Sequence, residues 1–111
     1  MIYLDNAATP YFNPPPVITA AGTALKYLSA NPGRSSHSLA VKAGMMIEDT
    51  RESAAKMFGT TPDKVVFTLN CTDALNTAIF GTAKKGGHIV TTVLEHNSVL
   101  RPLMRLKELG I

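Results

Sequence analysis

The chain has 111 residues, of which 45% are hydrophobic and 17% charged. That is enough apolar content for one modest core and too much for a disordered tail. The net charge of +3 is too small an excess to argue for nucleic acid, and the single cysteine, Cys71, excludes an internal disulfide and a cysteine-based zinc site and suits a reducing cytoplasm.

The opening run, Met1-Ile2-Tyr3-Leu4, reads as a short strand or extended arm, broken by Asn6-Ala7-Ala8-Thr9-Pro10. It lacks the basic region and long apolar run of a secretory leader. Asn13-Pro14 reads as a helix cap with proline at the first helical position, and Val17, Ala21, Ala24, Leu25 and Leu28 carry that helix to about Ser29. Asn31 to Ser36 is a loop. A second helix begins near Ser38, with Leu39, Ala43, Met46, Ile47, Ala54 and Met57 at helical spacing, and Gly59 stands where its C-terminal cap belongs.

Val65-Val66-Phe67-Thr68-Leu69 is β-branched, aromatic and uncharged, which predicts a buried strand. Thr72 caps a third helix in this reading, His88 to Leu94 forms a second strand, and Asn97 or Ser98 opens a last helix ending at Gly110. Pro102 fits that helix only within its first turn. The order helix, helix, strand, helix, strand, helix predicts an α/β fold, with parallel strands, flanking helices and a right-handed crossover. Two strands are too few for a complete sheet, so the expectation is part of a larger α/β domain or one completed by a partner. No stretch of about 18 apolar residues predicts a membrane span.

Two places carry chemistry. The turn Asn70-Cys71-Thr72 follows the first predicted strand, where α/β sheets place ligands, and the helix it opens offers unpaired N–H groups to a phosphate. Thr72 adds a hydroxyl there; the plainer reading is a simple cap. Glu95-His96-Asn97-Ser98 follows the second strand on the same expected edge. His96 is either a ring-stacking or proton-moving group, or a loop histidine capping the next helix. His37 reads as a capping residue and His88 as structural. Three scattered histidines make no metal site. Arg101, Arg105 and Lys107 decorate the last helix with no aromatic interleaving of the kind nucleic-acid surfaces use.

Four segments in order resemble the class V aminotransferases, and within them the cysteine desulfurases: Tyr3 to Pro10, Asn31 to His37, Val65 to Asn76, and Glu95 to Pro102. The resemblance implies the N-terminal part of a fold-type-I enzyme that uses pyridoxal 5'-phosphate. It makes residues 1–12 an N-terminal arm and 13–111 an incomplete piece of the large cofactor-binding domain. It implies that Asn70, Cys71 and Thr72 hold the cofactor phosphate, that His96 stacks on the ring and assists proton transfer, and that Asn6 and Ala7 lie near a small amino-acid substrate. Family members are commonly homodimers, so a homo-oligomer is expected, with no nucleic acid and no membrane partner.

The sequence departs from the family at the phosphate loop, where Leu69-Asn70-Cys71-Thr72-Asp73 stands in place of the frequent Ser-Gly-Ala-Thr-Glu. No segment matches the Schiff-base lysine, the acid that faces the pyridine nitrogen, the substrate arginine or the desulfurase cysteine. The expectation is a chain without turnover of its own. Another class V reaction, a noncatalytic self-associating chain, and a split enzyme whose partner brings the lysine are the alternatives.

Overall fold

The computed structural model describes residues 2–34 and 36–111. The expectations that touch Met1, at the start of the opening run, and Ser35, within the Asn31 to His37 segment, lie outside the described residues. Four α-helices follow one another: α1 (Pro15–Tyr27), α2 (Ser38–Met57), α3 (Cys71–Thr82) and α4 (Asn97–Glu108), with a 3-10 turn at Pro62–Lys64. They fall into two units, one running to Val65 and the other Val66–Ile111.

In the first unit α1 starts behind Pro14 with no side-chain cap, so Asn13 does not play the expected part, and no α1 residue is buried. The helix α2 is capped by the His37 ring and ends at Gly59, whose φ of 64° is the left-handed turn that favours glycine. There the Thr60 amide donates to the Ala55 carbonyl at 2.9 Å, and the Gly59 amide to that of Lys56 at 3.4 Å. These are the paired bonds that close a helix at a glycine. Ala40, Ala43 and Ala55 are its buried residues. Arg51, ion-paired with Glu48, also donates through Nε to the Val65 carbonyl at 3.2 Å and so ties the end of the unit back to α2.

The expected parallel sheet does not form. Among the described residues there is no strand: Val65 to Thr68 and His88 to Thr92 run without a ladder. Val66, Leu69, Val90, Val93 and Leu94 stay exposed. Strand propensity is a preference for a pleated, half-buried surface, and two short segments with no third strand lack one. Local bonds take over instead. The Thr92 hydroxyl donates to Glu95 Oε1 and accepts the Leu94 amide, both at 3.3 Å. The second unit is therefore organised by α3 packed on α4. Ser98, Pro102 and Leu106, spaced one turn apart, form the buried line of α4.

Candidate functional site

The opening of α3 is held from outside Thr72. Asn70 is its cap: Oδ1 accepts the Asp73 amide at 2.9 Å. Asp73 answers by accepting the Leu69 amide at 3.4 Å on Oδ2, a reciprocal arrangement resembling a capping box. Thr72 is thus not the cap that the sequence suggested. Its hydroxyl has no hydrogen-bond partner among the described residues, and neither do the amides of Cys71 and Thr72. Cys71 is exposed at the first helical position as a free thiol.

The opening of α4 is held by His96, not by Asn97 or Ser98. Its Nδ1 accepts the Ser98 amide at 3.1 Å and lies 2.8 Å from the Ser98 hydroxyl. A ring nitrogen that accepts an amide carries no proton, so the neutral ring holds its proton on Nε2. Ser98 itself is 8% exposed.

These two openings face one cavity of about 220 Å³, lined by Thr72, Asn76, His96, Asn97, Ser98, Arg101 and Pro102. Its lining has one cation, Arg101, and no acid. Two helix N-termini bring the positive ends of their dipoles to it. Arg101, read from the sequence as surface decoration, has no ion pair among the described residues. Asn76 also went unread as a site residue. Its Nδ2 donates to the Thr72 carbonyl at 2.8 Å and, across to the other helix, to the Ser98 carbonyl at 3.3 Å. The volume is below the roughly 300–1,000 Å³ of pockets that enclose a whole small ligand. It suits a phosphate with one ring face laid against it. Free amides, a free hydroxyl, a guanidinium and an imidazole are the donor set such a group requires, so these residues fit a phosphorylated aromatic cofactor.

Asn6 and Ala7 belong to the first unit. Asn6 Oδ1 accepts the Tyr11 amide at 3.3 Å, and Ala7 is exposed in the turn closed by the Asp5 carbonyl. His37 accepts the Ala40 amide through Nδ1 at 3.2 Å. His88 lines a separate, more apolar cavity with Ile89, Leu103 and Leu106. Among the described residues no group of three or more His, Cys, Asp and Glu is gathered to hold a metal, and no helix is long and apolar enough to cross a membrane.

The chain belongs to the family described as Aminotransferase class-V, whose sequence signature matches residues 2–111. Within the family it is 35% identical over 111 residues to a probable cysteine desulfurase of Methanothermobacter thermautotrophicus, 37% over 114 to a NifS/IcsS protein homolog of Lactobacillus delbrueckii, and 38% over 113 to the cysteine desulfurase IscS of Dictyoglomus turgidum. Each match covers 98–99% of this chain and 28–29% of the relative. The chain therefore spans little more than a quarter of the length of the curated relatives it matches. No solved structure matches it. The family is generally dependent on pyridoxal phosphate and acts on small amino acids.

Proposed function

We propose that this chain is the N-terminal, phosphate-holding part of a cytoplasmic cysteine desulfurase-like enzyme that converts cysteine to alanine and a transferable sulfur. The observation that supports the reading most is the shared cavity of Thr72 and His96. The names of the relatives favour this reaction over the other class V activities.

In this reading the Cys71 and Thr72 amides and the Thr72 hydroxyl donate to the cofactor phosphate. Asn70 keeps those amides aimed by capping the helix from behind. Arg101 balances the phosphate charge. His96 presents its ring face to the pyridine and keeps an N–H at Nε2 for a proton-transfer role. Bound pyridoxal phosphate supplies the electron sink that reactions at an amino-acid α-carbon need. Asn6 and Ala7 border the substrate, residues 1–12 act as an arm and residues 13–111 as part of the cofactor domain. No segment of these 111 residues matches the lysine that links the cofactor, so in this reading the chain binds without turnover.

Self-association is part of the proposal. The chain exposes 9451 Å². A folded protein of this mass exposes about 6,000 Å², and two separate small bodies of the same total about 7,000 Å². Exposed Val, Ile, Leu and Phe side chains are part of that surface and suit burial against a second copy.

The test is titration of the isotope-labelled chain with pyridoxal phosphate, followed by amide and imidazole NMR signals. Shifts confined to Cys71, Thr72, Arg101 and His96 are expected. Response only at lysine side chains, from nonspecific imine formation, would overturn the reading. A cysteine assay separates binding from turnover: alanine and sulfide at an enzyme's rate would disprove the claim that the chain alone is inactive.

A further inference from the structure

Pro102 sits at the sixth position of α4, past the first turn where the sequence reading allowed it. A proline there has no N–H for the carbonyl four residues back, which is that of Ser98. Ser98 is buried, and a buried carbonyl without a donor is costly. The missing donor comes from another helix: Asn76 Nδ2 reaches the Ser98 carbonyl at 3.3 Å while also holding the Thr72 carbonyl of its own helix at 2.8 Å. Ser98 in turn holds His96 Nδ1 through its hydroxyl and its amide. The result is one hydrogen-bonded path: Thr72, Asn76, Ser98, His96.

We propose that Asn76 is a positioning residue that fixes the Thr72 end of the cavity to the His96 end, using the carbonyl that Pro102 leaves open. It touches no reacting atom. It keeps the hydroxyl and the imidazole at one separation, so that a phosphate and the ring attached to it are met together. The proposal rests on the cofactor reading for what is bound, and on this geometry alone for the coupling.

Two variants separate the bonds. Asn76→Ala removes both. Asn76→Ser keeps a hydroxyl that reaches the Thr72 carbonyl one turn back but is too short for Ser98. Pyridoxal phosphate and inorganic phosphate are the probes, with the Thr72 amide and the His96 ring nitrogens observed by NMR and helix content by circular dichroism. In the native chain both signals should titrate with pyridoxal phosphate at one apparent Kd. In both variants affinity should weaken about fivefold, the equivalent of one neutral hydrogen bond. The Thr72 amide should still respond while the His96 ring no longer follows it, at unchanged helix content. Leu106→Ala, which loosens the same helix pair without touching the path, should lower thermal stability and leave the two signals coupled.

Variants in which Thr72 and His96 still move together at native affinity would overturn the proposal. If the native chain answers neither probe, the cofactor reading fails, and the coupling is decided without ligand. The native His96 ring should then show a bare Nδ1 and a protonated Nε2, with Thr72–His96 proton contacts. Both variants must lose those contacts for the proposal to stand, and their persistence would sink it.

Discussion

The starts of α2 and α4 use the same device for different ends. Each is capped by a histidine whose Nδ1 accepts a backbone amide, from Ala40 at 3.2 Å and from Ser98 at 3.1 Å. Yet among the described elements α2 packs on the 3-10 turn of its unit, whereas α4 packs on α3 and has a buried line of Ser98, Pro102 and Leu106. The cap alone satisfies a helix end. A second helix opening beside it turns the cap into one wall of a cavity. Local chemistry makes the two histidines alike, and packing makes one of them a candidate site residue.

The largest expected effect tests that comparison by loosening the packing. Leu106 is 3% exposed, the one large aliphatic side chain among the buried residues described. Leu106→Ala should cost about 2–4 kcal/mol of stability in the second unit, read by denaturant unfolding of α3 and α4 signals, and leave α2 signals unaffected. A loss under 1 kcal/mol would show that Leu106 does not hold the pair together. Next in size, Thr72→Val keeps the shape and deletes the hydroxyl. Since Asn70 is the cap, helix stability should stay within about 0.5 kcal/mol, while phosphate affinity falls about tenfold, the scale of a bond to a charged group. Unfolding and titration on the same sample check both halves. A stability loss near 1 kcal/mol would mean that Thr72 is the cap after all.

How far the sequence could be read follows the same divide between local and tertiary causes. The periodicity of Leu39, Ala43, Met46 and Ile47 shows α2, and Gly59 shows its end, because both signals lie within the helix itself. Which residue caps α3 was not legible, and for α4 the His96 cap stood as one reading beside Asn97 and Ser98. Asn70 and Thr72 are both good caps, as are Asn97 and Ser98, and the choice depends on where the first helical turn settles. The run Val65 to Leu69 carries strand propensity, but propensity does not supply a neighbouring strand. His96 and Thr72 stood out, and were expected on one edge of a sheet; they line one cavity without that sheet. Asn76 did not stand out, since nothing beside it in the sequence asks for a carboxamide. The one clue lay in α4: a proline four residues beyond Ser98 announces an open carbonyl without saying which residue fills it.

Smaller effects sharpen the comparison of the two caps. Asn70→Ala removes the side chain that accepts the Asp73 amide and should destabilise α3 by about 1 kcal/mol, measured as the loss of its amide exchange protection. Exchange of the histidines for asparagine should move stability least of all. Asparagine is among the best capping residues, so both His37→Asn and His96→Asn should hold their helices within a few tenths of a kcal/mol. They differ in the ring. His37→Asn should leave titration with pyridoxal phosphate as it was, because no cavity wall is lost. His96→Asn keeps α4 closed but removes the flat face and the Nε2 proton, and the response of the Thr72 amide should shift to that of a bare phosphate, weaker by about tenfold if the ring contact equals one good stacking interaction. Equal titration curves for the two variants would mean that His96, like His37, only closes a helix.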